Sequence, residues 1–170
     1  QHSLSELKLS VPTDIQQKAI PIILGQTEDV VAIAKTGTGK TAAFGLPLLQ
    51  LIDVNDQNIQ ALVLVPTREL GHQIHANLMS YAFKSLDISI ATLCGGIPIK
   101  PQIERLKTPT QIIVATPGRL LDLVSKGALD LAALARDTTF DARNVAGHLD
   151  GDVASVSAVS PDAIRDSLGS

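Results

Sequence analysis

The chain has 170 residues, enough for one domain with a substantial core, and its 45% hydrophobic and 18% charged content is that of a globular rather than a disordered protein. A net charge of −3 excludes a surface coated in basic groups but leaves room for a local basic groove, and 2% aromatic content argues against binding by base stacking. A single cysteine, Cys94, excludes an internal disulfide and fits a reducing, cytoplasmic setting. No apolar run approaches the roughly 18 residues a membrane span requires, and no basic-then-apolar leader opens the chain.

In chain order, helical periodicity covers 13–24 and stops at Gly25; an apolar run at 29–34 reads as a strand, and 40–52 as a helix. Asn55–Asn58 is a loop. A strand at 60–65, a helix at 68–84, a strand at 88–93, a loop at Gly95-Gly96, a helix at 99–107, a loop at Thr108–Thr110, a strand at 111–115 and a helix at 117–125 follow. The strands are rich in Val, Ile, Leu and Ala, as expected for strands covered on both faces. Their alternation with helices predicts an α/β fold with a mainly parallel sheet. After about Leu134 the pattern fails. Residues 135–152 show no clean period of 2 or 3.6 and read as loop or disorder. Val153–Val159 offers a possible short strand and Pro161–Ser167 a possible short helix.

The most informative string is Ala34-Lys35-Thr36-Gly37-Thr38-Gly39-Lys40-Thr41, between a buried strand and a helix. That context is the geometry of a phosphate-binding loop. Gly37 and Gly39 allow backbone angles closed to other residues, so that successive N–H groups can face one anion, and the helix start adds its unpaired N–H groups and dipole. In such a loop Lys40 reaches the β/γ-phosphates of a nucleotide and the Thr41 hydroxyl sits on Mg²⁺. Ala34 stands where the first Gly of the pattern is expected. The bland alternative is a Gly-rich turn that binds nothing.

Further short strings fall in loops: Pro12 to Gln16 (PTDIQ), Pro66 to Leu70 (PTREL), Gly95-Gly96, and Thr116 to Leu120 (TPGRL). Those that follow strands share the carboxyl edge of a parallel sheet, where ligands gather. Over about residues 10–134, the order and spacing of these strings with the phosphate loop resemble the first RecA-like domain of the DEAD-box ATP-dependent RNA helicases, the bacterial type above all. The resemblance implies a three-layer RecA-like P-loop NTPase fold and an ATP- and Mg²⁺-dependent enzyme that grips single-stranded RNA by its backbone without reading sequence.

It also implies roles residue by residue. Gln16 corresponds to the family's adenine-reading glutamine; an amide can donate to and accept from the adenine edge, and the alternative is a surface glutamine. The family's upstream stacking aromatic has no counterpart in residues 1–15, so weakened adenine binding is expected. The chain begins at Gln1 rather than Met, which fits loss of upstream sequence. Pro66, Thr67 and Arg68, then Gly95 and Gly96, then Thr116, Pro117, Gly118 and Arg119 correspond to RNA-backbone motifs, through hydroxyls, backbone N–H groups and guanidinium groups. Plain helix caps are the alternative for Thr67 and Thr116, and solvated surface charges for Arg68 and Arg119. Cys94 reads as a small buried residue at a strand end. His72 and His75 read as surface or packing residues, since no Cys or Glu cluster completes a metal site.

The family's Asp-Glu-Ala-Asp string, which holds the metal and positions the attacking water, is expected near 140–143 after an apolar strand lying beside the phosphate-loop strand. The chain reads Phe140-Asp141-Ala142-Arg143 there, preceded by polar Arg136 to Thr139. The sheet is therefore expected to be incomplete near 135–156, within a single domain over 1–170. Ser157 and Ala158 resemble the start of the family's Ser-Ala-Thr coupling motif, with Val159 in the threonine position. Sound strings on either side of an aperiodic block fit a reading frame lost near 135 and regained near Ser157, which the coding DNA would reveal. With the metal–water site damaged and a second RecA-like domain absent, weak or no hydrolysis and unwinding are expected. A non-catalytic nucleotide- and RNA-binding module is the rival reading. A different P-loop NTPase is a third, against which PTREL and TPGRL argue.

Overall fold

In a computed structural model, which describes residues 11–25, 30–82, 87–130, 144–150 and 153–159, the alternation read from the sequence is realised closely. It comprises α1 (Asp14–Gly25), β1 (Val31–Ala34), α2 (Lys40–Leu51), β2 (Ala61–Leu64), α3 (Arg68–Ala82), β3 (Ile90–Leu93), α4 (Ile99–Leu106), β4 (Ile112–Ala115) and α5 (Pro117–Ser125). Two further strands follow, β5 (Asn144–Asp150) and β6 (Val153–Val159). None of the described helices is long and apolar enough to cross a membrane.

The six strands form one sheet in the order β1-β6-β5-β2-β4-β3. Alternation along the central strands sends neighbouring side chains to opposite faces. Ala61 and Val63 of β2, with Ile112 and Val114 of β4, pack against Phe44, Leu48, Ile74 and Leu78 of α2 and α3. Leu62 of β2, with Ile113 and Ala115 of β4, packs against Leu120 and Leu123 of α5. Two cores and one sheet make three layers. Leu78, Val63, Ile112, Ile113 and Leu123 have no measurable exposure, and burying each such side chain stabilises the fold by about 1.5–3 kcal/mol.

β2, β4 and β3 pair in parallel, Leu64 with Ala115 and Leu93 with Ala115. Because β6 runs antiparallel to both β1 and β5, and β5 parallel to β2, β1 points the same way as the central strands. The carboxyl ends of β1, β2, β3 and β4 therefore lie along one edge of the sheet.

Two expectations are corrected. The segment 135–152 is not uniformly loop: residues 144–150 form β5, which pairs with β2 at Val63↔Val145 and Leu64↔Ala146, while residues 153–159 form β6 beside β1, where a short strand is expected. The sheet runs unbroken from β1 to β3, because the hairpin supplies hydrogen-bonding partners that local composition does not advertise. The strand beside β1 is thus Val153–Val159, antiparallel rather than parallel. Second, β1 is not covered on both faces: Val31 and Ile33 are 70% and 66% exposed, while Ala32 faces the cavity between α1 and α2. Residues 135–143, with the string at 140–143, and the helix expected at Pro161–Ser167 lie outside the described residues.

α3 is fastened to β3 by a hydrogen bond between His75 Nδ1 and Thr92 Oγ1 at 3.0 Å. Burial, then His72 and Arg105, lower the His75 pKa below its ordinary 6.5. The unfolded chain takes up the proton at higher pH than the folded one, so neutral His75 contributes its full stability above about pH 6.5. That contribution is lost as pH falls through 6.5 toward the folded value. The unfolding free energy is expected to decline from pH 7 to pH 5, with a shallower decline in His75→Asn, as urea unfolding at each pH would show. Parallel curves would assign the decline to other groups.

Candidate nucleotide and RNA site

The loop between β1 and α2 is fixed from inside and outside. Inside it, the Lys40 ammonium donates to the carbonyls of Ala34 and Lys35, the latter at 2.6 Å, and the Thr38 hydroxyl donates to the Lys35 carbonyl at 2.7 Å. Gly37 and Gly39 have φ of 77° and 82°, in the left-handed region that only glycine enters freely. Outside it, the Thr13 hydroxyl donates to the Thr38 carbonyl at 2.8 Å, and Gln16 Nε2 donates to the Gly39 carbonyl at 3.1 Å. Gln16 Oε1 in turn accepts from the Thr13 N–H at 3.0 Å.

This last bond is half of a capping box, and the spacing Thr13-x-x-Gln16 is its sequence signal. Thr13 was not singled out as a site residue, though that signal could have found it. Gln16 is 4% exposed, so it is not the surface glutamine of the alternative reading. Gly39 is the N-cap of α2, and no side chain caps the helix. A Cβ on Gly39 would fall well inside the contact distance of Gln16 Nε2. The residues therefore fit a triphosphate: an uncapped 12-residue helix start, a lysine, a hydroxyl at Thr41, and two glycines at positive φ, of which Gly39 leaves no room for a side chain. Thr41 places a hydroxyl in the first turn of α2, beside that loop. Among the described residues no group of three or more His, Cys, Asp or Glu side chains could hold a metal.

Along the same edge, the loops after β2, β3 and β4 interlock. Pro66 and Thr67 are exposed. Thr67 caps α3, its hydroxyl accepting from the Leu70 N–H at 3.3 Å. Thr116 does not cap α5; its hydroxyl accepts from the Gly95 N–H at 3.2 Å and so joins the β3 and β4 loops. Gly96, at φ 81°, sits under Arg68: a Cβ there would lie 3.2 Å from Arg68 Nη1. Arg68 is half exposed and pairs with Glu69 at 3.3 Å. The Glu69 carboxylate lies below its ordinary range, chiefly through a hydrogen bond from its own backbone N–H at the start of α3, with Arg68 assisting. Pro117 and Gly118 are exposed in the first turn of α5.

Arg119 is no solvated charge. Its side chain is 9% exposed, Nη2 donates to the Ile97 carbonyl at 2.8 Å, and Nε and Nη1 are buried without a hydrogen-bond partner. Cys94 is buried one residue past β3, and burial raises its thiol pKa. Gln102, which nothing in the sequence marked, is buried and donates from Nε2 to the Cys94 carbonyl at 3.0 Å.

The edge thus carries a phosphate-type loop at one place and an exposed rim of Thr67, Arg68, Gly96 and Gly118 at another. Ser157 and Ala158 are not brought to either. Register sets Ser157 opposite Val31, at the start of β1, whereas Ala154 lies opposite Ala34 where the loop begins.

Gly39→Ala is expected to force a side chain into positive φ and push Gln16 off the Gly39 carbonyl. The strain alone amounts to about 1–2 kcal/mol. Thermal unfolding should show the destabilisation and titration a lost nucleotide affinity; an unshifted melting temperature would refute the packing described.

Comparison with known proteins agrees with this geometry. Residues 13–141 match the family described as DEAD/DEAH box helicase. The chain is 50% identical over 132 residues to the ATP-dependent RNA helicase DbpA of Escherichia coli K12, covering 78% of this chain and 29% of that protein. It is 45% identical over 120 residues to the probable ATP-dependent RNA helicase MJ0669 of Methanocaldococcus jannaschii, covering 71% and 32%. Among solved structures, a hypothetical ATP-dependent RNA helicase from Sulfolobus tokodaii superposes with a TM-score of 0.67 at 42% identity, over 77% of this chain and 37% of that one. A DEAD box protein from Methanococcus jannaschii superposes with a TM-score of 0.69 at 40% identity, over 77% and 35%. The chain spans about a third of the length of these relatives, and with its phosphate-type loop and interlocked rim it belongs to the DEAD/DEAH box helicase family.

Proposed function

We propose that this chain is the ATP-binding core domain of an ATP-dependent RNA helicase, taking ATP with Mg²⁺ at 34–41 and a single-stranded RNA backbone across Thr67, Arg68, Gly95-Gly96 and Thr116 to Arg119. The observation that carries the reading is the shared sheet edge, with the uncapped, twice left-handed loop at β1 and the three interlocked loops at β2, β3 and β4. The relatives named above are called ATP-dependent RNA helicases, which supports both ligands.

Lys40 holds loop carbonyls and is the group that exchanges them for phosphate oxygens; its charge is balanced by triphosphate better than by two carbonyls. Gln16 clamps the loop with one amide hydrogen and keeps the other for a ligand edge. Thr41 is the hydroxyl for the metal. When bound, Mg²⁺ neutralises the charge that develops on the phosphates, and the protein mainly positions and shields. On the RNA side, Arg68 and exposed backbone N–H groups meet phosphates without reading bases.

A second reading, a module that binds without turnover, is favoured by the sequence Phe140-Asp141-Ala142-Arg143, which has no glutamate to orient water. Phosphate release with and without single-stranded RNA separates the two. RNA-stimulated release identifies an enzyme, and its absence beside intact binding identifies the module.

Lys40→Ala is expected to weaken ATP about ten-fold or more while leaving RNA affinity within about two-fold, since a charged hydrogen bond contributes about 1.5–3 kcal/mol. A fluorescent ATP analogue and a labelled oligonucleotide report the two affinities. An unchanged ATP affinity would refute the assignment.

Arg68→Ala is expected to weaken oligouridine and mixed-sequence RNA alike and to lower the slope of log affinity against log salt by about 0.7. A sequence-dependent loss would contradict backbone binding.

A further inference from the structure

We propose that Gln102 is a positioning residue for RNA, setting the affinity of the Gly95-Gly96 loop without touching the strand. The inference rests on the reading that this rim binds RNA.

The loop from Cys94 to Pro98 joins β3 to α4 and carries two adjacent glycines. Adjacent glycines have more backbone freedom to lose than other residue pairs, and whatever order the segment lacks beforehand must be supplied by the ligand. Here the order is supplied in advance by side chains from two helices on one face of the sheet. Gln102 of α4 holds the Cys94 carbonyl at 3.0 Å, just before the glycines. Arg119 of α5 holds the Ile97 carbonyl at 2.8 Å, just after them. Thr116 takes the Gly95 N–H between these two points. With both flanking carbonyls pinned, the Gly96 peptide can settle at φ 81° beneath Arg68.

Gln102 itself is held by a rigid helix. At the last turn of α4, Arg105 donates to Thr108 Oγ1 at 2.6 Å, Thr110 Oγ1 at 2.7 Å and Ser89 Oγ at 2.5 Å, tying α4 to the starts of β3 and β4. α4 is therefore a strut between the two ends of the sheet, and Gln102 is its contact with the rim.

Gln102 is also a poor choice for stability alone. It is 5% exposed, and its Oε1 is buried with no hydrogen-bond partner. An orphaned buried acceptor is unfavourable, and a methionine of similar length would fill the same space without one. What glutamine adds over methionine is the N–H to the Cys94 carbonyl.

The test uses the 170-residue chain, Gln102→Met and Gln102→Leu, with labelled oligouridine, a fluorescent ATP analogue, thermal unfolding and amide exchange at Gly96 and Ile97. Gln102→Met keeps the packing and removes the donor; Gln102→Leu also removes the donor, with a shorter side chain, and serves should the methionine variant fail to fold. The expected result is an RNA Kd raised about three- to ten-fold, the worth of one hydrogen bond, with nucleotide Kd within about two-fold and faster exchange at Gly96 and Ile97. An unchanged RNA Kd, or equal losses for RNA and nucleotide as from general destabilisation, would overturn the proposal and leave the RNA reading standing. Wild-type chain that does not bind oligouridine would overturn both.

Discussion

Two backbone carbonyls, those of Thr38 and Gly39, are gripped from outside their own loop by Thr13 and Gln16, and the proposed nucleotide site depends on that grip. Glycine enters the left-handed region without strain but has the most backbone freedom to lose, so a turn with two such residues keeps one form only where its surroundings restrain it. Here α1 provides the restraint. Its first turn is locked by the Thr13 N–H to Gln16 bond, and the same two side chains then reach across to the loop. Ala19 and Ile23 anchor α1 against Phe44 of α2, so the clamp and the clamped loop ride on one core. Lys40 completes the structure from within, satisfying carbonyls that a phosphate-free loop would otherwise leave to solvent.

The rim at β2, β3 and β4 is built on a different principle. The loop after β3 is fastened from its neighbours at three points: by Thr116 at Gly95, by Arg119 at Ile97 and by Gln102 at Cys94. The two arginines divide the work by burial. Arg68, half exposed, brings mobile positive charge to the surface, whereas Arg119 holds its charge beneath the loop. Each guanidinium has a carboxylate near it, Glu69 at 3.3 Å from Arg68 and Asp122 at 4.0 Å from Arg119, so the edge gathers paired charge at the positive ends of α3 and α5.

Periodicity was a good guide wherever an element is covered by its sequence neighbours. β2, β3 and β4 and the five helices fall within about two residues of their expected bounds because each buries an apolar stripe that the sequence spells out. The loop glycines and Lys40 were legible for a related reason: φ of 77° and 82° is a demand that few residue types meet. What stayed hidden depends on tertiary placement. Asn144-Val145-Ala146-Gly147 has weak strand propensity and becomes a strand by pairing with β2 and β6. The Thr116 hydroxyl, for which a helix cap was the alternative to a backbone-binding role, is a tie between loops, since the cap position and the Gly95 N–H compete for one oxygen. Gln102 sits in an ordinary helical stretch, eight residues from the carbonyl it holds. Arg119 shows the same limit, because its sequence neighbourhood does not reveal whether a guanidinium lies over or under a loop.

The direction of β6 decides what the neighbouring strand can offer the nucleotide loop. In a parallel arrangement, the residues after a strand beside β1 would emerge at the loop's own edge. Antiparallel pairing reverses this. Ala34 faces Ala154, so the end of β6 near Val153 reaches that edge while Ser157 stays three strand positions, about 10 Å, behind it. β5 runs the other way and passes the end of β2 at Ala146, continuing four residues to Asp150. The hairpin therefore brings Asp150 and Val153, which pair with each other, to the edge beside β1. β1 itself, with Val31 and Ile33 open on one face, keeps its position through α1, α2 and a single antiparallel ladder. The form of the loop does not depend on the direction of β6, since its clamps come from α1 and from within. That direction does set Ser157 at the end of β1 away from the loop.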